Sequence, residues 1–173
     1  VKALNYEYNI NQSVKLKMKA VANFNGTLLE KEQSINIIVI EDGEVEELPA
    51  GLKKGVNVID SNSVTLVLLA PEKSYVYAVG DFNNWNVSSD YQMKKTPDGK
   101  YFWLTIPDLD VNKDYVYQYW IDGNIKVADP YTTQVADPWN DQYIEDTVFP
   151  NLPDYDKTNN GIASVFKINS EKY

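Results

Sequence analysis

The chain of 173 residues contains no cysteine, no histidine and no arginine. Without cysteine and histidine it has no thiol nucleophile, no catalytic triad built on histidine, and no thiolate or imidazole ligand for a metal. We therefore expect neither a metal nor another cofactor. All sixteen basic residues are lysines, and the net charge is −9. Because lysine lacks the planar fork with which arginine grips phosphate and guanine, we expect neither nucleic acid nor an anionic membrane as a partner.

Long apolar runs and helical periodicity are also scarce. The longest apolar run, residues 64–70, is broken by Thr65 and is too short to span a membrane. The recurrent pattern is an alternation of apolar and polar residues, as in "VKLKMKAV" at 14–21, which is typical of a strand with one solvated face. Further strand-like segments occur at 35–40, 63–70, 75–80, 100–106 and 114–123. Turn-forming residues separate them, so the sequence predicts an all-β fold, an antiparallel β-sandwich.

The charged segment "EDGEVEELPAGLKKG" at 41–55 predicts a domain boundary, because it carries glycine and proline and lacks an apolar face. We interpret residues 1–47 as the C-terminal strands of a preceding β-sandwich domain, 48–55 as an exposed linker, and 56–173 as the main sandwich. The alternative is that residues 1–40 join the following sheet. Beyond residue 130 the periodicity fades, and we expect an irregular strap along a surface. The apolar segment 162–168 is expected to return as an edge strand.

Four motifs carry a family resemblance, namely "VGDFNNWN" (79–86), "TPDGKYFWLTI" (96–106), "YVYQYWIDG" (115–123) and "ADPY" (128–131). In this order and spacing they resemble the family 48 carbohydrate-binding module, the immunoglobulin-like domain before the catalytic barrel of many family 13 glycoside hydrolases. The resemblance implies an immunoglobulin-like sandwich that is an N-terminal, non-catalytic piece of a bacterial enzyme, secreted or in the cell envelope. An amylase, a pullulanase and a branching enzyme all fit as the parent.

The resemblance also implies a sugar site. In glycan-binding members the Trp of the FNNW motif lies on the face of a glucose unit, which makes Trp85 the expected platform, with Asn83 or Asn84 closing the turn. Gln118 and Asn124 are the other expected contacts. A flat indole covers the apolar face of a pyranose, and side-chain amides serve its hydroxyl rim. The alternative is that Trp85 caps the core of the sandwich, the role that we expect for the neighbouring Phe82.

Two departures from the family pattern predict that glucan binding is weak. Binding members carry a lysine before the "DG" turn and a second Trp after it, whereas this chain has Gln118 and Ile125 there. Isoleucine supplies no stacking plane, so the loss of one platform is expected to remove about 1–3 kcal/mol of binding free energy. We expect an affinity no tighter than about millimolar for starch, glycogen or a maltooligosaccharide.

No catalytic residue is predicted, because no pair of acidic residues belongs to a catalytic motif and the family's acids lie in the barrel. The segment "DLDVNKD" at 108–114 resembles the start of a calcium loop, but Lys113 occupies the position that needs glycine, and a solvated turn is expected. The resemblance implies a downstream catalytic domain as the second partner, which Trp139, Phe149 and Tyr131 are expected to contact. The alternatives are a purely structural spacer without a sugar site and a stand-alone regulatory glycogen sensor.

Overall fold

The computed structural model describes residues 13–38, 40, 42–150, 152–153, 155 and 161–169. The first twelve residues of the predicted preceding domain lie outside this set, as do residues 151, 154 and 156–160 of the predicted strap and its surroundings. Within the described ranges, no helix has the length and apolar character that a membrane crossing requires. The chain divides into two compact units, Val1–Asp42 and Gly43–Tyr173.

In the first unit, β1 (Ser13–Phe24) and β2 (Thr27–Ile38) form an antiparallel hairpin. Asn25 and Gly26 connect the strands with φ angles of 49° and 80°. Two consecutive residues with positive φ match the twist of a two-residue hairpin, and Asn-Gly is the pair that adopts them at least cost. The alternating pattern at 14–21 therefore forms a strand as the sequence predicted.

The second unit contains the remaining nine strands that the structure describes. They are β3 (Gly55–Val58), β4 (Val64–Leu69), β5 (Val76–Gly80), β6 (Lys94–Lys95), β7 (Tyr101–Ile106), β8 (Tyr115–Ile121), β9 (Ile125–Val127), β10 (Gln134–Ala136) and β11 (Ala163–Phe166). One sheet has the order β3-β4-β7-β6, and the other has the order β10-β11-β8-β5 with β9 also paired to β8. Every strand pair is antiparallel. This confirms the all-β, antiparallel sandwich predicted from the sequence.

The main core lies between the two sheets and is built from alternate residues of their strands. The largest contributions come from β4, β7 and β8, and the members include Val64, Leu66, Leu68, Phe102, Leu104, Ile106, Tyr115, Tyr117, Tyr119 and Ile121. Because side chains of a strand point alternately to its two sides, the three tyrosines of β8 share the inner face. This confirms the face predicted for them from the alternation.

The outer face of the second sheet is covered too. A smaller apolar cluster lies there, formed by Val116, Ala136, Tyr155, Ala163 and Val165, with Trp85 packed against it. As a result, all seven residues of β8 are buried. The chain beyond β10 and the turn after β5 both contribute to this second layer, which places Trp85 at its border.

The segment expected to be an edge strand is an interior one. β11 pairs with β8 on one side and with β10 on the other. Three residues of the segment predicted to be irregular form β10 and occupy the edge position. The edge prediction was wrong because the sequence of β10, "QVA", is too short to show a strand pattern.

The polypeptide joins the sandwich before the predicted linker. Val45 forms a parallel bridge with Lys95 at the free side of β6, and the Lys94 ammonium pairs with the carboxylates of Glu44 and Glu46. Along the chain, the boundary between the two compact units falls between residues 42 and 43, five residues before the predicted linker at 48–55. That residues 48–55 separate two independently folding domains stays a prediction.

Candidate functional site

The turn after β5, residues 80–86, is called the FNNW turn. The carbonyl of Gly80 accepts hydrogen bonds from the backbone N–H groups of Asn83 and Trp85, at 3.1 and 2.9 Å. Gly80 itself lies so close to β8 that an added Cβ would meet the Val116 carbonyl oxygen at 2.4 Å and the Tyr117 Cβ at 2.7 Å. Only glycine fits there, so the FNNW turn is held tightly against β8.

Of the two asparagines between the aromatic residues, Asn83 is the one that closes the turn. Its Oδ1 accepts from the Gly80 N–H, and its Nδ2 donates to the Ala78 carbonyl, both at 3.0 Å. Asn83 is buried, and both ends of its amide are used by the backbone. Asn84 is exposed and leaves its amide on the surface.

The backbone of the turn is strained at the tryptophan. Asn84 and Trp85 both have left-handed φ angles, 51° and 60°, a region that asparagine tolerates and bulky residues rarely adopt. Asp81 holds the arrangement, since its Oδ1 accepts from the Trp85 indole N–H at 3.0 Å and its Oδ2 accepts from the Val116 N–H at 2.9 Å. One carboxylate thus ties the indole to β8 and fixes its orientation.

The Trp85 indole is half-buried. Its ring lies 5.3 Å from that of Tyr155, at an interplanar angle of 35°, and it packs on the second cluster. The two residues next to Trp85 in the sequence, Asn84 and Asn86, are both exposed, and the Asn86 Nδ2 donates to the Asn83 carbonyl at 3.3 Å. Trp85 therefore acts both as a cap on the second cluster and as a surface residue. Asn86 was not among the residues predicted for the site, although it lies next to Trp85 in the motif.

Phe82 has the structural role that was expected. Its ring stacks on Tyr91 with centroids 5.4 Å apart and planes at 20°, and it packs against the main core. The Tyr91 hydroxyl donates to the Phe82 carbonyl at 3.1 Å. The two aromatic residues of the motif thus point to different layers, Phe82 to the main core and Trp85 to the second cluster.

Gln118 and Asn124, the other expected sugar contacts, lie on β8 and in the turn that follows it. Gln118 is completely buried on the outer face of β8, and its Nε2 donates to the Ile162 carbonyl at 2.9 Å. Asn124 is exposed in the turn between β8 and β9. This turn follows the end of β8 at Ile121, which lies about 17 Å along the strand from Val116. Sugar binding by these residues stays a prediction, and Gln118 also has a structural role through its hydrogen bond to Ile162.

A buried carboxylate follows β9, in the "ADPY" motif. Asp129 Oδ2 accepts from the hydroxyls of Tyr117 and Tyr119, at 2.7 and 3.0 Å, and Oδ1 accepts from the Tyr131 N–H at 2.8 Å. Burial, reinforced by the Asp129 charge, raises the pKa of Tyr117 well above its usual value. Burial and the charges of Tyr117 and Asp129 raise the pKa of Tyr119 in the same way. Sequence reasoning took this motif only as a proline kink and missed the network.

Tyr131 follows this anchor and is 36% exposed. It lines a cleft together with residues 51–54 and 132–134, and the Lys54 ammonium lies 4.9 Å from the centre of its ring. Trp139 and Phe149, with which Tyr131 was grouped as an interface, do not line this cleft.

The chain from 137 to 149 exposes several apolar side chains. Asp137 orders its start, accepting from the Asn140 Nδ2 at 2.6 Å and from the Trp139 N–H at 3.0 Å, and these hydrogen bonds lower the pKa of Asp137. We call the exposed apolar residues of this segment the tail surface; they are Trp139 (47% exposed), Tyr143 (79%), Ile144 (40%), Val148 (75%) and Phe149 (45%). A contact between this surface and a catalytic domain stays a prediction.

Comparisons with known proteins identify one family model, a curated relative and solved structures that are similar to parts of this chain. The model of "Carbohydrate-binding module 48 (Isoamylase N-terminal domain)" matches residues 53–140. A 1,4-alpha-glucan branching enzyme, GlgB of Clostridium perfringens, is 38% identical over 65 residues, which cover 36% of this chain and 10% of the relative. The chain thus spans a small part of the curated relatives that it matches.

Two solved structures align with part of this chain. The catalytic module of the pneumococcal glycogen-degrading virulence factor SpuA aligns with 66% of this chain and 16% of its own, at 22% identity and a TM-score of 0.44. A pullulanase from Anoxybacillus sp. LM18-11 aligns with 76% of this chain and 24% of its own, at 13% identity and a TM-score of 0.39.

The family model spans the sandwich from just before β3 to just beyond β10, and it includes the FNNW turn and the "ADPY" motif. That match covers half of the sequence. The chain belongs to the carbohydrate-binding module 48 family, the family of the isoamylase N-terminal domain.

Proposed function

We propose that this chain is a non-catalytic accessory module of a larger α-glucan-acting glycoside hydrolase, and that it holds an α-glucan chain weakly at the FNNW turn. The observation that carries the proposal is the partly accessible Trp85 indole between the exposed Asn84 and Asn86. Membership of the carbohydrate-binding family and the similarity to a 1,4-alpha-glucan branching enzyme support an α-glucan as the ligand.

The chemistry of the turn suits a glucose unit. The apolar face of a pyranose packs on the indole, while the two exposed amides donate to and accept from the hydroxyl rim. Asp81 holds the indole in place through the 3.0 Å bond from Nε1, so little side-chain freedom is lost on binding. A prepositioned platform of this kind contributes affinity by lowering the entropic cost of binding.

The proposed site is weak because it has one platform. The second position, Ile125, is 41% exposed and offers apolar contact without a ring face. A dissociation constant of about 1 mM corresponds to a binding free energy of about −4 kcal/mol. Weak binding of this size suits a module that keeps a catalytic domain near a polymer with many equivalent sites.

Affinity electrophoresis in gels that contain glycogen tests the proposal. The chain should be retarded, and maltoheptaose should relieve the retardation. Asn84→Gly removes one amide at a left-handed position that glycine accepts, and it should weaken retardation. Asn25→Gly is the matched control, because Asn25 is also exposed and left-handed but lies in the β1–β2 turn. Equal effects of the two substitutions, or no retardation of the original chain, would overturn the proposal.

A purely structural role is the second candidate function. The packing of Trp85 on Tyr155 and the second cluster favours it. In that case Trp85→Phe lowers the stability of the fold, and glycogen has no effect on the mobility of either protein. With a sugar site, Trp85→Phe lowers stability and retardation together, whereas Trp139→Phe, at an exposed tryptophan outside the turn, changes neither.

We propose further that the tail surface packs on the downstream catalytic domain of the same polypeptide. Contiguous exposed apolar side chains of this kind mark interaction surfaces. Trp139 and Phe149 belong to this proposed interface, and the contact expected for Tyr131, which lines a cleft, stays a prediction. Hydrogen exchange across 139–149 should slow when the downstream domain is present, and an unchanged rate would contradict the contact. A secreted or cell-envelope location remains part of the proposal, and cell fractionation would check it.

A further inference from the structure

The cleft beside Tyr131 has a volume of about 620 Å³. A second hollow of about 460 Å³ lies next to it. Leu52, Lys53, Lys54 and Tyr131 line both, so the two form one groove that passes over Tyr131. Their volumes fall within the range of about 300–1,000 Å³ that is usual for small-molecule sites.

The root of Tyr131 is fixed from two sides. Its backbone N–H is held by Asp129, whose carboxylate is anchored by Tyr117 and Tyr119 in the core. Gly55, with φ at +93°, lies so close that an added Cβ would meet the Tyr131 Cβ at 3.0 Å. These contacts fix the start of the Tyr131 side chain beside the groove, and the residue is about one third exposed. The Lys54 ammonium rests over it, and a flexible exposed lysine can move away.

Groups that can bind hydroxyls surround the ring. Asn57 and Thr132 use their side chains on the backbone, Asn57 Nδ2 donating to the Lys53 carbonyl and Thr132 Oγ1 to that of Gln134. Lys53 and Thr133 are exposed and line the cleft. They make no side-chain hydrogen bond or ion pair within the part of the chain that the structure describes. Ammonium and hydroxyl groups therefore lie on the rim of an aromatic platform.

A second ring extends the platform. Tyr101, at the start of β7, lines the smaller hollow together with Tyr131, Leu48, Leu52 and Val67. Two tyrosines along one groove, with apolar side chains below and donors at the rim, offer what successive pyranose units present, namely an apolar face and a ring of hydroxyls. Lys167, which also lines the larger hollow, is paired with Asp114 at 3.8 Å and is therefore engaged within the protein.

We propose that this groove is a second α-glucan site, separate from the FNNW turn, with Tyr131 as its platform. Glucose covers the Tyr131 ring, and Lys54 moves from the ring to the hydroxyl rim, where Lys53 and Thr133 also donate. The proposal rests on the proposed function, because it uses the same class of ligand. The "ADPY" motif then has a task in binding: its buried Asp129 sets the position of the tyrosine two residues later.

Titration of the ¹⁵N-labelled chain with maltoheptaose tests the site. The amide signals of Thr133 and Gln134 should shift and saturate, independently of the Trp85 indole signal. Tyr131→Ala should weaken the binding seen at Thr133 about tenfold, the loss expected for one platform. Tyr143→Ala, at a more exposed tyrosine in the tail surface, is the matched control and should leave every signal as it was.

A second substitution guards against a folding defect. Lys54→Met keeps the aliphatic stem and removes the ammonium, and it should weaken binding at the groove about threefold without moving the Trp85 titration. Shifts at Trp85 with none at Thr133 would overturn this inference and leave the proposed function standing. Shifts at Thr133 with none at Trp85 would support the groove and remove the FNNW site. Equal losses for Tyr131→Ala and Tyr143→Ala would also overturn it.

Discussion

Tyr117→Phe removes one of the hydroxyl groups that donate to the buried Asp129 carboxylate. We expect this substitution to lower the free energy of unfolding by about 2 kcal/mol. Asp129 is buried and accepts from Tyr117 at 2.7 Å, from Tyr119 at 3.0 Å and from the Tyr131 N–H at 2.8 Å. No lysine pairs with it among the described residues. The hydroxyls therefore stabilise a charge that has lost most of its water.

The magnitude follows from the kind of hydrogen bond. Bonds to a charged group contribute about 1.5–3 kcal/mol each, and those between neutral groups about 0.5–1.5 kcal/mol. Tyr115 provides the matched control, since it lies on the same face of β8 and its hydroxyl accepts from the neutral Asp110 N–H at 2.8 Å. We expect Tyr115→Phe to cost about 1 kcal/mol, about half the cost of Tyr117→Phe.

Urea unfolding followed by tryptophan fluorescence measures the difference. All four tryptophans lie in the unit Gly43–Tyr173, so the signal reports the sandwich and not the β1–β2 hairpin. With an m value of about 1.5 kcal/mol per molar urea, 2 kcal/mol moves the midpoint by about 1.3 M. The m value itself should not change, because the surface exposed on unfolding stays the same.

The same network predicts how stability depends on pH. The pKa values of Tyr117 and Tyr119 are raised well above that of an unfolded tyrosine. Below about pH 10 the folded and the unfolded chain both keep the two tyrosine protons, and the full stability is present. Above about pH 10 the unfolded chain loses these protons while the folded chain keeps them, so the free energy of unfolding falls as the pH rises. Each tyrosine contributes about 1.4 kcal/mol per pH unit to this fall in the free energy of unfolding. Tyr117→Phe should remove the contribution of one tyrosine.

Two results would refute this reasoning. If Tyr117→Phe costs no more than Tyr115→Phe, the Asp129 carboxylate does not depend on the hydroxyls. If the slope above pH 10 is the same with and without the Tyr117 hydroxyl, this tyrosine ionises in the folded state and its burial has been misjudged.

Three further predictions concern the fold around the site. Gly80→Ala should lower the free energy of unfolding by more than about 3 kcal/mol, because the new Cβ collides with β8. Gly43→Ala brings its Cβ nearest to the flexible end of a side chain, at 3.1 Å, and should cost under about 1 kcal/mol. Urea midpoints measure both costs, and equal costs would contradict the close approach of Gly80 to β8. Trp85→Phe loses the indole hydrogen bond and should lower the free energy of unfolding by about 1–2 kcal/mol, whereas Trp139→Phe should lower it by under about 0.5 kcal/mol. If thermal unfolding shows that Trp139→Phe is the more destabilising of the two, Trp85 is not anchored. Limited proteolysis should cut first within 42–54 and leave a folded sandwich, and first cuts within β3–β8 would contradict the predicted boundary.

Local pattern was enough to predict most strands and the faces of β8. Alternation needs only neighbouring residues, and Tyr115, Tyr117 and Tyr119 lie in the main core as their spacing indicated. The closing role of one asparagine was also predictable, because turn chemistry is local. The choice of Asn83 over Asn84 was not, since it depends on the Ala78 carbonyl being within reach of the side chain.

Contacts between distant parts of the chain could not be predicted. Trp85 packs on Tyr155, seventy positions later, and Gln118 is covered by a segment that contains Ile162. Both contacts exist because the outer face of the second sheet is covered, which no periodicity reveals. The Asp129 network was not predictable either, because it depends on how the segment after β9 lies against two tyrosines of β8.

The Trp85 indole N–H signal in a maltoheptaose titration tests the central claim most directly. The chain has four tryptophans, and three of them serve as internal controls: Trp103 and Trp120 are buried, and Trp139 is exposed outside the FNNW turn. Among the four indole signals, we expect only that of Trp85 to move, and we expect it to saturate at about millimolar sugar. A Trp85 signal that stays fixed, or one that moves no more than that of Trp139, would contradict sugar binding at the FNNW turn.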